Sequence, residues 1–205
     1  MTHREPELLI ATRNEGKARE LAAMLRGSRL RVRSLAEFPQ APEVEETGLT
    51  FAENAALKAR AYADATGLWT LADDSGLEVA ALGGEPGVRS ARYGGLATDA
   101  ERTARLLEEL ARTNDAERRA RFVCVIALAL PPSDRLHFFE GTCEGRIARA
   151  PAGSHGFGYD PVFCPDGYEQ TFGQLPDETK EQLSHRARAL ARALAFLNRL
   201  LRPTT

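Results

Sequence analysis

Leu8 to Gly27 reads LLIATRNEGKARELAAMLRG, and its pattern decides the fold class. Leu8-Leu9-Ile10-Ala11 is a short apolar run of the kind that fills a buried strand. Thr12-Arg13-Asn14-Glu15-Gly16 is a polar loop. Leu21, Met24 and Leu25 then recur at helical spacing, and Gly27 supplies a stop. Strand, polar loop and helix in that order are the building unit of an α/β protein. The unit repeats downstream. Arg31 to Leu35 reads as a second strand, and Phe38 to Gly48 as a loop with two prolines and an acidic cluster. Thr50-Phe51-Ala52-Glu53 has the form of a capping box and opens an Ala-rich helix that Gly67 ends near Thr66. Leu68 to Ala72 is strand-like, and Asp73-Asp74-Ser75-Gly76 follows it directly.

Further on, the glycine-rich stretch Gly83 to Gly95 reads as irregular loop, and Asp99 as the cap of a helix facing inward through Leu106, Leu107 and Leu110. Phe122 to Leu130 is apolar throughout, as a central strand should be, and Leu136 to Ala148 continues as strand or hairpin. A last helix runs from Asp177 to Leu201. The expectation is an α/β fold on a mixed sheet, antiparallel strands coming after the middle of the chain.

The chain has 205 residues, enough for a single domain with a core that needs no staples. Its formal net charge of −2 argues against a protein that coats nucleic acid. The longest apolar run is too short to span a bilayer, and no signal peptide is legible. Cys124, Cys143 and Cys164 form no CxxC pair, and an odd number suits a reducing compartment, so the cytoplasm is expected. Of 27 basic residues, three are Lys (Lys17, Lys58 and Lys180), leaving 24 Arg. An ammonium is a compact point charge where guanidinium is a planar fork, so lysines kept against such a bias are candidates for sites that need the former, chance survival being the alternative.

Several segments carry chemistry. Asn14, Gly16 and Lys17 stand at a helix N-terminus, where free N–H groups and the helix dipole attract phosphate. Asn14 serves equally well as a plain cap, and the Walker A spacing is absent. Glu45-Glu46 and Asp73-Asp74 are candidate magnesium ligands, because Mg2+ takes one or two carboxylate oxygens from protein and the rest from water and phosphate. Successive side chains of extended chain point oppositely, so one member of each pair should enter a given site. Glu53 reads as a cap. Gly156-Phe157-Gly158-Tyr159-Asp160-Pro161 combines rings that can stack on a flat base with glycines that allow close approach, although a turn anchored by a core aromatic reads the same way. Ser184-His185-Arg186 after Lys180 gathers donors on one helical stretch. Ser75 and His185 lack the G-x-S-x-G elbow of a hydrolase triad.

Six segments taken in order carry a resemblance. They are Thr12 to Lys17, Glu46 to Ala55 with Lys58, Ala72 to Leu77, Gly83 to Tyr93, Gly156 to Pro161, and Lys180 with Ser184-His185-Arg186. Together they closely resemble the inosine triphosphate pyrophosphatase family, from about Leu8 to Leu190. The resemblance implies a single two-lobed α/β domain over residues 1–205, a long mixed central sheet flanked by helices, and a nucleotide cleft between the lobes. It implies hydrolysis of non-standard purine nucleoside triphosphates (ITP, dITP, XTP) to the monophosphate and pyrophosphate, with Mg2+ and in a homodimer. Thr12, Asn14, Lys17 and Lys58 would hold the triphosphate. Glu46 and Asp74 would bind the metal, Asp74 also acting as base toward water, and Ser75 would contact substrate. Phe157, Gly158, Tyr159, Asp160, Lys180, His185 and Arg186 would enclose base and sugar. Gln174 and Glu181 stand where relatives often carry Glu and Asn. The rival readings are a pyrophosphatase for modified pyrimidine triphosphates and a nucleotide-binding module without turnover.

Overall fold

The computed structural model describes residues 6–113, 116, 118–132 and 134–202. Six strands form one sheet in the order β2-β1-β3-β4-β5-β6, with β1 at Glu7–Ile10, β2 at Arg31–Ser34, β3 at Trp69–Val79, β4 at Arg119–Ala129, β5 at Leu136–Ile147 and β6 at Phe163–Pro165. β1 pairs in parallel with β2 and with β3, and β5 pairs antiparallel with β6, so the sheet is mixed as expected. The helices are α1 at Glu15–Met24, α2 at Phe51–Thr66, α3 at Asp99–Ala111, α4 at Asp177–Leu183 and α5 at His185–Leu200.

Two boundaries differ from the sequence reading in ways that matter. Asp73, Asp74, Ser75 and Gly76 lie inside β3 rather than after it, and both aspartates are buried. The single last helix is two, because Ser184 adopts an extended conformation between α4 and α5. Its hydroxyl accepts from the Ala187 N–H at 3.2 Å, which makes Ser184 the start signal of α5. The cap of α3 also moves by one residue, since Thr98 is the N-cap and Asp99 the first helical residue. Within Gly83 to Gly95, Gly87–Gly95 is 3-10 helix with a kink rather than plain loop, and a 3-10 turn at Ala80–Leu82 precedes the stretch.

The chain divides into two compact units, Met1–Asp74 with Val125–Glu140 and Ala189–Thr205, and Ser75–Cys124 with Gly141–Arg188. In the first, Leu9, Ala11, Ala55, Ala59, Tyr62, Ala63, Ala72 and Ala127 belong to one apolar cluster. In the second, the cluster includes Leu77, Leu106, Leu110, Phe122, Tyr159, Phe163 and Phe172. The buried stripe of α2 explains how polar groups enter the first core. Phe51, Asn54, Ala55, Lys58, Ala59, Tyr62 and Ala63 recur at three and four residues, so Asn54 and Lys58 share the face that small alanines bring against the sheet. The capping box of Thr50 and Glu53 fixes where this helix starts, and Gly67, at φ 67°, fixes where it stops.

Candidate active site

The first unit gathers two lysines and three carboxylates. Lys17 on α1 lies 3.2 Å from Asp73, whose side chain is fully buried. Lys58 on α2 lies 2.5 Å from Glu46 and 3.7 Å from Asp74. Period two along β3 sends the neighbouring aspartates to different cations, Asp73 to Lys17 and Asp74 to Lys58. Yet the Asp74 carboxyl feels the charge of Lys17, and Lys58 that of Asp73, so all of these groups share one electrostatic neighbourhood. In the other acidic pair, Glu45 is exposed and Glu46 is the partly buried member.

Burial sets the charge states. It raises the Asp74 carboxyl above its ordinary value, and the attraction of Lys58 and Lys17 opposes this without cancelling it. For Lys58 burial pulls the ammonium down, and the carboxylates of Asp74, Asp73 and Glu46 outweigh it, so the group stays charged above its usual value. Asn54, absent from the residues singled out from sequence, bridges these parts. It is fully buried, donates from Nδ2 to Asp74 Oδ2 at 3.1 Å, and accepts the Gly48 N–H at Oδ1 over 2.7 Å. The stripe of α2 could have revealed it, since an Asn on an otherwise apolar helical face must find partners.

Thr12 and Asn14 shape the loop before α1. Thr12 Oγ1 accepts from the Asn14 N–H at 3.2 Å, and Asn14 Oδ1 accepts from the Lys17 N–H at 3.0 Å. Asn14 is thus the N-cap of α1. At such a helix start the dipole favours an anion.

The second unit holds the other candidates. Asp160, buried, accepts the Phe157 N–H at 2.8 Å and forms an ion pair with Lys180, also buried. The Lys180 ammonium lies 4.7 Å from the centre of the Phe157 ring, and the Arg186 guanidinium 5.8 Å from it. Arg186 also donates to the Ser75 hydroxyl at 2.8 Å. Phe157, half-buried, is therefore a ring flanked by two cations. Tyr159 and His185 are placed differently from the sequence picture of groups enclosing a base. The Tyr159 ring belongs to the core, and its hydroxyl donates to the Ser90 carbonyl at 3.0 Å. His185 is buried and stacks on Phe122 at 4.7 Å. Gly158, at φ 62°, takes a conformation that side chains rarely adopt, although a Cβ there would meet nothing.

The donor set bears on metal binding. Among the described residues no three His, Cys, Asp or Glu side chains cluster as a complete metal cage. Glu46 and Asp74, joined through Lys58, are two hard oxygen donors, which fits an ion that leaves most of its coordination to water and phosphate.

Comparison with known proteins places this geometry in context. The profile of the Ham1 family matches residues 8–196. A dITP/XTP pyrophosphatase from Desulforamulus reducens is 51% identical over 195 residues, covering 95% of this chain and 96% of that protein. One from Pseudomonas aeruginosa is 52% identical over 186 residues, 90% of this chain and 93% of the other. Among solved structures, a HAM1 protein from Coxiella burnetii superposes with a TM-score of 0.86 at 43% identity, over 95% of this chain and 99% of that one.

Proposed function

The chain belongs to the Ham1 family, and from that premise we propose that it is a nucleoside-triphosphate pyrophosphatase that removes non-standard purine nucleotides such as ITP, dITP and XTP, releasing monophosphate and pyrophosphate. The observation that carries the reading is the group formed by Lys17, Lys58, Asp73, Asp74 and Glu46. A triphosphate is a polyanion whose cleavage needs positioning and charge balance more than covalent help. Lys17 and Lys58 supply the charge, while Thr12, Asn14 and the start of α1 supply oriented polar groups.

Glu46 and Asp74 are the residues that would hold Mg2+, which when bound supplies Lewis-acid neutralisation of phosphate charge. Asp74 accepts the proton of the attacking water, and burial tunes its basicity for that task. The water oxygen bonds to the α-phosphorus, the bond to the bridging oxygen breaks, and pyrophosphate leaves with its charge matched by the two lysines. Asn54 fixes the Asp74 carboxylate through Oδ2. On the base side, Phe157 is the stacking surface and Lys180 with Arg186 are donors toward the C6 oxygen of hypoxanthine or xanthine. Adenine carries an amino donor there, leaving such groups unsatisfied at about 1–3 kcal/mol each. Three free cysteines support a reducing, cytoplasmic setting, and a homodimer is the assembly implied by the family resemblance.

The test is product analysis with ITP, XTP, dITP, ATP, GTP and a modified pyrimidine triphosphate. Pyrophosphate and monophosphate should appear fastest from the first three, stop on chelation with EDTA, and resume with Mg2+. Orthophosphate as the product, or equal rates for ITP and ATP, would overturn the proposal. Light scattering after size exclusion reads the oligomeric state.

A further inference from the structure

The segment proposed to stack against the base is held from outside by a residue of another element. Two successive N–H groups, those of Phe157 and Gly158, both end on carboxylates. The Phe157 N–H donates to Asp160 within the segment at 2.8 Å. The Gly158 N–H donates to Asp99 Oδ2 at 2.7 Å, across 59 residues of sequence. Asp99 opens α3, which is anchored by Leu106 and Leu110 in the same apolar cluster as Tyr159. The other carboxylate oxygen of Asp99 is held by Arg102, whose second arm donates to the Leu96 carbonyl at 2.8 Å. The acceptor is thus oriented before any ligand arrives.

We propose that Asp99 is a positioning residue for purine binding: its carboxylate fixes the Phe157–Gly158 peptide and so the orientation of the Phe157 ring. The proposal rests on the reading of Gly156 to Pro161 as the base-binding segment. Without the strap the peptide keeps the Asp160 N–H bond to the Phe157 carbonyl at 3.2 Å but loses the hold on its own N–H, and glycine at φ 62° has several conformations within reach. The ring must then be ordered on binding, a cost that falls on affinity and not on the chemical step.

A plainer role exists, since acids in a first helical turn interact with the dipole. Glu101 does this in the same turn, completing the capping box with Thr98 and forming no hydrogen bond to the base segment among those described. The experiment compares Asp99→Ala, Asp99→Asn and Glu101→Ala in the full-length enzyme, measuring KM and kcat for ITP and product inhibition by IMP and by pyrophosphate. A charge-assisted hydrogen bond discounted for a half-exposed carboxylate predicts that Asp99→Ala raises KM and the IMP inhibition constant about three- to tenfold. The kcat value and the pyrophosphate inhibition constant should stay within about twofold. Asp99→Asn keeps an acceptor for Gly158 and should recover most of the loss, while Glu101→Ala leaves KM unchanged.

If Asp99→Asn behaves like Asp99→Ala, or Glu101→Ala shifts KM equally, charge at the helix start is the cause and the proposal fails. It fails too if IMP and pyrophosphate inhibition weaken together. Should Asp99→Ala not fold, Asp99→Ser and Asp99→Asn carry the same comparison. A wild-type protein without ITP pyrophosphatase activity would instead sink the functional reading on which this one rests.

Discussion

Asp74→Asn separates the contribution of Asp74 to catalysis from its contribution to folding. The side chain is buried, accepts from Asn54 and faces Lys58 at 3.7 Å. An asparagine oxygen can take the same donor, and Lys58 keeps Glu46 at 2.5 Å, so the fold should survive. Loss of a positioned general base costs about 10²–10⁴ in rate, which is about 2.7–5.4 kcal/mol of barrier at 1.36 kcal/mol per decade. Stability should move the other way. Because burial raises the Asp74 carboxyl, protonation favours the folded state. That contribution is complete below the ordinary carboxylate value and is lost as pH rises through the raised folded value. The neutral asparagine escapes the loss. In EDTA, Asp74→Asn should therefore melt higher than wild type at pH 7–8, with the gap closing toward pH 4. Thermal melts across that range, beside ITP turnover with Mg2+, give both readings. Turnover within tenfold of wild type would refute the base assignment, and a lower melting temperature at pH 8 would refute the electrostatic account.

Other expectations follow from single contacts. Asn54→Ala removes the amide that serves Gly48 and Asp74, and should cost about 1–3 kcal/mol in urea unfolding and about 10- to 100-fold in turnover. Lys17→Met takes away the cation 3.2 Å from the fully buried Asp73. Breaking a buried pair costs about 3–5 kcal/mol, and urea unfolding of this variant should show a loss of that order. Burial pushes the Cys143 thiol up to about 11, and all three cysteines are buried. Since the thiolate is the reactive form, a thiol reagent at pH 8 should label the native protein barely and the denatured protein fully; rapid native labelling would contradict the burial.

The elements that the sequence made legible were those with strong local signals. The Leu8–Ala11 run, the capping box at Thr50 and the apolar stretch from Phe122 gave strands and a helix within a residue or few of the observed bounds. The misreadings share a cause. Asp73 and Asp74 looked like a strand's end because charges are rare in central strands; inside β3 they stand because Lys17 and Lys58 reach them from two helices. No glycine or proline announced the break at Ser184, yet a serine cap there starts α5 just before His185 and Arg186. Without the break both residues would sit mid-helix.

What the sequence determined by itself was local and chemical: the α/β alternation, the helix starts, the short supply of lysines and the motifs that carry the family resemblance were all readable because they are written within a few residues of one another. Which partner each polar group takes was decided only by tertiary structure. Asp73 goes to Lys17, Asn54 to Asp74 and Asp99 to Gly158, and each pairing joins groups far apart in the chain. Such pairings arise when packing removes water from a polar group and leaves it one neighbour able to replace the lost hydrogen bond.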